Sequence, residues 1–493
     1  MKNKKTLGIV ISVILIFAIL PYFVGNIAKE NIAEQAEKIS QIPGYALEIR
    51  NYDQGWFTSS AVVSYGFDAH TQNILEASID EKDPFDKDIY ELLKKGLVFD
   101  ITVAHGPITF QNGVNFALLT LVGRFQDIDN ADYKNILANN NLASLLDIFS
   151  SVSYRGNTTI KATAPAFKAD DAKTAVNLIF SGMELQAIIN AQQDKYDVIF
   201  NFAGSDIQSP KANLSLQGIT AQATGTRMND SLWLGKGSFS VGHFKSETAI
   251  SGPAISFYNF SNEYDLSKES DTTLTMRLQS KVGRFVANED IQDTELKEIT
   301  LDFTLNHLNS EAITDYVKSV QESYQTLSDE TPTAEQTAEN IQIITTRTGE
   351  KILKGSPELV INKLGFLMND GFYKSEGKLS FDGTDLENIA QLSDPQALNK
   401  KLAITSNVTF NMSLVKLIVK FRLKQRLATS GTDVASMPPE QIDQMVNVQA
   451  IAILQTFINQ GYIMQNGEEY TLNFEMTDGN KLFNGKPLAI PGM

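Results

Sequence analysis

Side chains able to do acid–base or metal chemistry are sparse in this chain. Its four histidines, His70, His105, His243 and His307, are scattered through 493 residues, and none has a partner at metal-ligand spacing. There is no HExxH pair, no GxSxG elbow and no phosphate-cradling loop. Gly235-Lys236-Gly237-Ser238 lacks both the further glycine and the GK[ST] ending that such a loop needs. The absence of cysteine excludes thiol catalysis, disulfides, cysteine-held zinc, iron–sulfur clusters and lipoprotein acylation. His105 is the best-placed candidate. It continues the alternation of Phe99, Ile101 and Val103 and precedes Gly106-Pro107, at the covered side of a strand end. A general base there needs a nucleophile or carboxylate from elsewhere in the chain; without one it is a packed structural histidine. A two-carboxylate hydrolase is recognised by separations that a sequence does not carry. The reading is therefore a non-enzymatic protein with no catalytic residue, cofactor or metal site.

One cluster of cations stands out. Lys416, Lys420, Arg422, Lys424 and Arg426 interleave with Leu417, Ile418, Val419, Phe421 and Leu423. A helix of this pattern can touch anionic headgroups or a protein partner, or its cations can pair with an acidic body. Residues 419–424 also alternate at period two, so helix and strand both stay open. The acidic body itself is plain: formal charge is −16 over the chain, and about −19 without Lys2, Lys4 and Lys5. Such a surface repels phosphate backbones, which discounts nucleic acid as a partner. Apolar content of 42% with 20% charged residues is globular rather than disordered. Large secreted eukaryotic chains usually carry disulfides, so the lack of cysteine favours a bacterial source.

The elements that would position these residues begin with an uncharged run, Leu7 to Val24, behind the three lysines. As a helix it spans about 27 Å, close to a bilayer's hydrocarbon thickness. No small-x-small cleavage site follows it. It is read as a signal anchor rather than a cleaved leader or a soluble core helix, with the lysines cytoplasmic and the body outside. Residues 1–25 are thus the cytoplasmic tip and anchor. Residues 26–44 form a helical stalk with Ile27, Ile32, Ala36 and Ile39 on one side. Met445–Ile458 is too short and too polar to span, and is read as a buried helix.

Beyond the stalk, alternation dominates: Val198, Phe200 and Phe202; Leu274, Met276 and Leu278; Leu301, Phe303 and Leu305; Leu379 and Phe381; Ile404, Val408 and Phe410; Leu472, Phe474 and Met476. Period two with Gly, Asn and Asp between the runs predicts a mostly antiparallel twisted sheet with one covered face. Helices are expected over 131–150, over 310–327 behind Asn309-Ser310, from the capping box Thr384–Glu387 toward Leu392, and from Pro438-Pro439 to about Asn459. Ser328–Asn340 reads as an exposed linker dividing the body into 45–327 and 341–493. The fold class is α+β, β-rich: an N-terminal transmembrane helix, then a large antiparallel sheet with interspersed helices.

Three stretches carry a resemblance. Tyr52-Asp53-Gln54-Gly55-Trp56-Phe57-Thr58-Ser59-Ser60 resembles the Y-x-x-G-(aromatic or leucine)-F-S-S strand of YdgA-like envelope proteins, with threonine at 58 where serine is commoner. His105-Gly106-Pro107 is similar to their HGP turn, and Asn484-Gly485-Lys486-Pro487 to the turn of their closing hairpin. Gly55 also suits a tight turn or bulge, and Asn484-Gly485 is a type I′ hairpin signal in its own right. The resemblance implies an inner-membrane-anchored protein of unknown activity, its body in the periplasm. In style it is akin to AsmA-like β-rich proteins implicated in envelope lipid homeostasis. The expected role is binding of lipid or another envelope component through a β-rich groove; the alternatives are a protein-interaction scaffold and a periplasmic hydrolase.

Overall fold

The computed structural model of the protein describes residues 20–30, 32–34, 36–40, 42, 44–78, 90, 94, 96–126, 145–171, 175–210, 212–248, 254–288, 293–329, 334–429 and 437–487. The chain forms two compact units. The first comprises Met1–Phe239, Ser246–Ser251 and Tyr316–Ile344; the second comprises Ser240–Lys245, Gly252–Asp315 and Thr345–Met493.

The first unit opens with a helix at residues 20–30, 32–34 and 36–40. Strands β1 (Tyr45–Gln54), β2 (Thr58–Phe67) and β3 (Leu97–His105) follow, with helix Ala69–Ser78 between the last two. A small hairpin, β4 (Ile108–Thr109) and β5 (Asn115–Phe116), leads to β6 (Leu119–Phe125) and β7 (Asp147–Val152). Next come β8 (Thr158–Ala164), β9 (Phe167–Asp171), β10 (Val176–Phe180) and β11 (Met183–Ile189). The long strands β12 (Lys195–Gln208) and β13 (Ala212–Arg227) follow them. Pairing is antiparallel throughout, in the order β1-β2-β3-β6-β7-β8-β11-β12-β13. β9 and β10 pair with each other, and β10 extends along the edge of β12 beyond β11.

β14 (Trp233–Thr248) carries residues of both units. In the second unit β15 (Ala254–Lys268), β16 (Thr273–Asn288) and β17 (Asp293–Asn309) are joined by β18 (Glu358–Met368), β19 (Gly371–Phe381) and β20 (Leu402–Asn411). β21 (Met464–Asn466), β22 (Glu469–Thr477), β23 (Asn480–Phe483) and β24 (Lys486–Pro487) follow. The pairing is again antiparallel and close to sequential. A helical core packs beside it: Val419 and Leu423 of helix Met412–Thr429 meet Ile442, Val446 and Ala450 of helix Pro439–Asn459. The i, i+4 spacing of Ile442, Val446, Ala450 and Leu454 gives that helix one buried stripe. Leu454 continues it into a cluster with Ile463 and Tyr470.

The alternating runs all lie in strands, and the two prolines open their helix at Pro439. Asn309 caps helix Ser310–Asp329 by accepting from the Ala312 amide at 2.8 Å. The 416–426 segment is helical.

Other expectations are corrected. Of the 131–150 helix, residues 131–144 lie outside the described residues, and Asp147–Val152 is strand β7, fixed by pairing on both sides to β6 and β8. The Thr384–Glu387 capping box opens no α-helix, because Asp385 sits at φ 61°; a 3₁₀ turn begins at Ile389 and the α-helix at Pro395, capped by Asp394. Of the segment Ser328–Asn340, expected as a linker, residues 328–329 end helix Ser310–Asp329 and residues 334–340 lie in helix Ala334–Lys354, while 330–333 lie outside the described residues. On the N-terminal helix Ile27 faces outward and Ala28 is the buried residue, which puts Val24, Ala28 and Ala36 on the packed side. Among the described residues no helix is long and apolar enough to cross a membrane. Of the run Leu7–Val24, residues 7–19 lie outside the described residues.

Candidate functional site

Two of the three resembling stretches meet at one place. β2 begins at Thr58 beside the end of β3 (Thr58 opposite Ala104), and the His105 amide donates to the Phe57 carbonyl at 2.8 Å. The His105 ring turns inward between them. Its Nδ1 lies 3.2 Å from the Trp56 carbonyl oxygen, which can only accept, so the proton sits on Nδ1. Nε2 is left to accept from the Ser59 hydroxyl at 3.1 Å. Both side chains are buried. Burial lowers the His105 pKa below its ordinary value, against a smaller opposing effect of the Trp56 hydrogen bond. The ring is therefore neutral at pH 7.

A serine hydroxyl on a histidine nitrogen is the start of a nucleophile–base pair. Here, however, the orienting group is a main-chain carbonyl rather than a carboxylate, and the space above the ring is taken. A Cβ on Gly25 would lie 2.5 Å from His105 Cε1 and 2.9 Å from Nδ1, so the N-terminal helix rests its backbone on the imidazole. Gln54 donates to Asn26 at 2.7 Å, the Lys29 ammonium lies 5.8 Å from the Tyr52 ring centre, and the Tyr22 and Trp56 rings are 5.1 Å apart. The assembly is a dock: His105, held by Ser59, meets the helix backbone at Gly25, Tyr52 meets Lys29, and Pro21, Val24 and Ala28 of the same helix are buried. Gly106 serves the same junction. A side chain there would strike the Ala117 carbonyl at 1.9 Å, and the Gly106-Pro107 bond that follows is cis. A Cβ on Gly55 would lie 2.3 Å from the Thr58 carbonyl oxygen. Trp56 and Phe57, beside this seat, are exposed.

From the dock one apolar face runs across the whole first unit. Directly opposed residues of an antiparallel pair share a face, and the register links Ala61 through Ile101, Ile148, Ala162 and Leu185 to Phe200. Near the helix this face is covered: Ala61, Val63, Phe99 and Val103 are buried. Farther on its side chains are only half-buried. Among the described residues of β7–β13 the only buried apolar side chains are Ala164, Ala169 and Ala187. Phe167, Phe180 and Phe202 stack in sequence at 4.9 and 5.6 Å between ring centres and stay half-exposed.

The remaining expected residues belong to the second unit. Asn484 (φ 46°) and Gly485 (φ 76°) form the left-handed turn between β23 and β24. The Asn484 side chain also donates to the Tyr462 carbonyl (2.8 Å) and accepts from the Asn473 amide (2.9 Å), a structural staple. In the basic cluster Lys420 pairs with Asp443 at 2.8 Å, across a surface depression of about 730 Å³ that Lys416, Glu440 and Asp443 also line. Arg422 and Arg426 are exposed and Lys424 is half-buried. The Lys420–Asp443 pair ties helix Met412–Thr429 to helix Pro439–Asn459. The sequence reading missed Gly25, whose only signal was its place next to the apolar run. It also missed Asp302, a buried carboxylate that accepts from Arg277 (2.7 and 3.1 Å), Gln279 (2.8 Å) and Asn362 (3.0 Å). Arg277 chiefly holds its pKa down, to about 2. Among the described residues no three His, Asp or Glu side chains converge as metal ligands would.

Comparison with protein families decides what the dock and the closing hairpin belong to. Residues 3–491 match the family described as a bacterial protein of unknown function (DUF945). The chain is a member. No curated protein and no solved structure matches it. DUF945 thus takes in the apolar run, the dock, the open sheet face and the final turn together, and it brings no assigned activity with it.

Proposed function

We propose that this DUF945 protein is a non-enzymatic envelope protein. Its N-terminal run, Leu7–Val24, anchors it in the inner membrane, and the sheet on the far side offers its uncovered apolar face to lipid acyl chains or another apolar envelope component. The observation that carries the reading is the stretch from β7 to β13, where large apolar side chains share one face and only alanines are buried among the described apolar residues. An apolar face this extended and this little buried has the character of a binding surface, since contiguous exposed patches mark such surfaces. The dock supports the anchor. It fixes the helix emerging from the apolar run against the sheet through Gly25 and His105, as a tether that sets the body's position requires. The likeness of Tyr52–Ser60 and His105–Pro107 to YdgA-like envelope proteins agrees with a periplasmic body.

The test is photocrosslinking of the full-length protein in cells, with a photoreactive residue at Phe200 on the apolar face or at the adjacent Ile199 on the other. Lipid adducts at position 200 and not at 199 are expected. Adducts at neither position, or equally at both, overturn the reading.

A further inference from the structure

We propose that the end of the first unit at which β2 starts and β3 ends is a membrane-contact surface, seated in the headgroup layer of the bilayer that holds the anchor; the inference rests on the anchor reading above. Three turns converge there. The 54–58 turn presents Trp56 and Phe57, 52% and 57% exposed. The β4–β5 hairpin presents Phe110, Val114 and Phe116, 76%, 64% and 71% exposed. The 153–157 turn presents Tyr154, 52% exposed, whose hydroxyl donates to the Pro107 carbonyl.

The hairpin is built inside out. Its polar side chains hold it together: buried Thr109 and Thr120 are bonded to each other at 2.9 Å, Gln111 donates to the Thr102 carbonyl at 3.2 Å, and Asn115 donates to the Gln111 carbonyl at 2.7 Å. Its large apolar side chains point away from the protein. In water such an arrangement leaves hydrophobic area exposed that a reversed pattern would bury.

Charge and position name the occupant. The chain carries 58 carboxylates against 42 basic residues, yet Gln54–Phe67 and Ile101–Gly123 contain no charge at all, and Arg155 is the only charged residue of the third turn. A surface meeting anionic headgroups must be free of carboxylates, and tryptophan, tyrosine and phenylalanine beside an apolar span are the residues of the membrane–water boundary. The N-terminal helix arrives at this same end. Gly25 lies on His105, two residues before Pro107, and Tyr22 touches Trp56. The chain preceding Leu20 is the apolar stretch that begins at Leu7. The point where the anchor leaves the bilayer and the exposed aromatic side chains are therefore side by side.

The protein holds two tryptophans, Trp56 and Trp233. Full-length Trp233→Phe leaves Trp56 as sole reporter, Trp56→Phe leaves Trp233, and the triple variant Trp56→Phe, Trp233→Phe, Phe116→Trp reports from the hairpin. Each is reconstituted into phosphatidylethanolamine–phosphatidylglycerol vesicles containing lipid brominated high on the acyl chain. The expected result is loss of most emission, with a blue shift, at positions 56 and 116, whereas Trp233, 5.2 Å from the Tyr196 ring, reports separately on the sheet face. Failure of the full chain to float with vesicles overturns the anchor reading and this inference with it. Flotation with unquenched reporters at 56 and 116 overturns this inference alone and assigns the patch to a protein partner.

Discussion

Replacing Gly25 by alanine tests whether the helix is seated on His105 as closely as the geometry states. In a helix interior Gly→Ala ordinarily stabilises by about 1 kcal/mol, through reduced backbone entropy in the unfolded chain. Here the new methyl would sit 2.5 Å from His105 Cε1, and the ring cannot retreat, being held by Ser59 on one nitrogen and the Trp56 carbonyl on the other. Forced overpacking of this kind costs roughly 1–3 kcal/mol. Gly349, in helix Ala334–Lys354, supplies the matched control: its nearest neighbour to an added Cβ is Ile389 Cδ1 at 3.9 Å, an ordinary contact. Propensity is common to the two substitutions, so their difference isolates the clash. Net of the propensity gain, hydrogen exchange of the amides around residues 24–30 should quicken by up to about 30-fold relative to wild type for Gly25→Ala, and by about 5- to 150-fold relative to the change that Gly349→Ala makes in its own helix. Gly349→Ala should slow exchange in its own helix. Protection at 24–30 that rises in Gly25→Ala as it does around 349 would refute the close seating, and with it the dock.

The other predictions are shorter. Acidification should loosen the same dock. His105 is neutral when folded, with a pKa below its ordinary 6.5, so the unfolded state binds the extra proton first and protection of residues 24–30 falls as pH drops below about 6.5; a His105→Gln variant should lose that pH dependence. Asp302, held at about 2 against 3.8 in the unfolded chain, contributes stability that is complete above about pH 4 and is lost as pH falls toward 2. With Arg277 half-exposed this is worth about 2 kcal/mol, so Asp302→Asn should lower chemical-denaturation stability by about that much at pH 7 and flatten the acid limb. Asn484→Ala removes the staple and strains a left-handed turn, costing at least about 2 kcal/mol, read as faster exchange in β22 and β23. Lys420→Glu, at the edge of a surface pair with Asp443, should change stability by less than about 1 kcal/mol.

Much of this fold is written locally. Strands such as β12 and β16 declare themselves because alternation needs only the residues of one strand, and the helix from Pro439 because proline at the first turn does. Asp147–Val152 hid its nature because IFSSV fits either state in isolation, and pairing on both sides decides it. Asp385 had the capping chemistry but not the backbone, a choice made by its surroundings rather than by its neighbours in sequence. The dock was half legible. His105 stood out by its phase, and Ser59 and Trp56 by their motif, but nothing in the sequence says that residues 46 and 49 positions apart meet on one imidazole. Gly25 looked like the frayed end of an apolar run. Asp302, whose partners lie 23 to 60 residues away, carried no signal at all.

In each unit most of the described strands bond to one that lies shortly before them in the chain. A polypeptide laid out this way can zip up from its beginning, each newly delivered segment adding to an edge already made. Loop-closure entropy is met in small instalments, and the growing edge is capped soon after its synthesis rather than left open to a neighbour's strand. For an acidic chain with a greasy head and no disulfide to correct errors, that order of assembly keeps the sticky side chains of the sheet in register from the first hairpin onward.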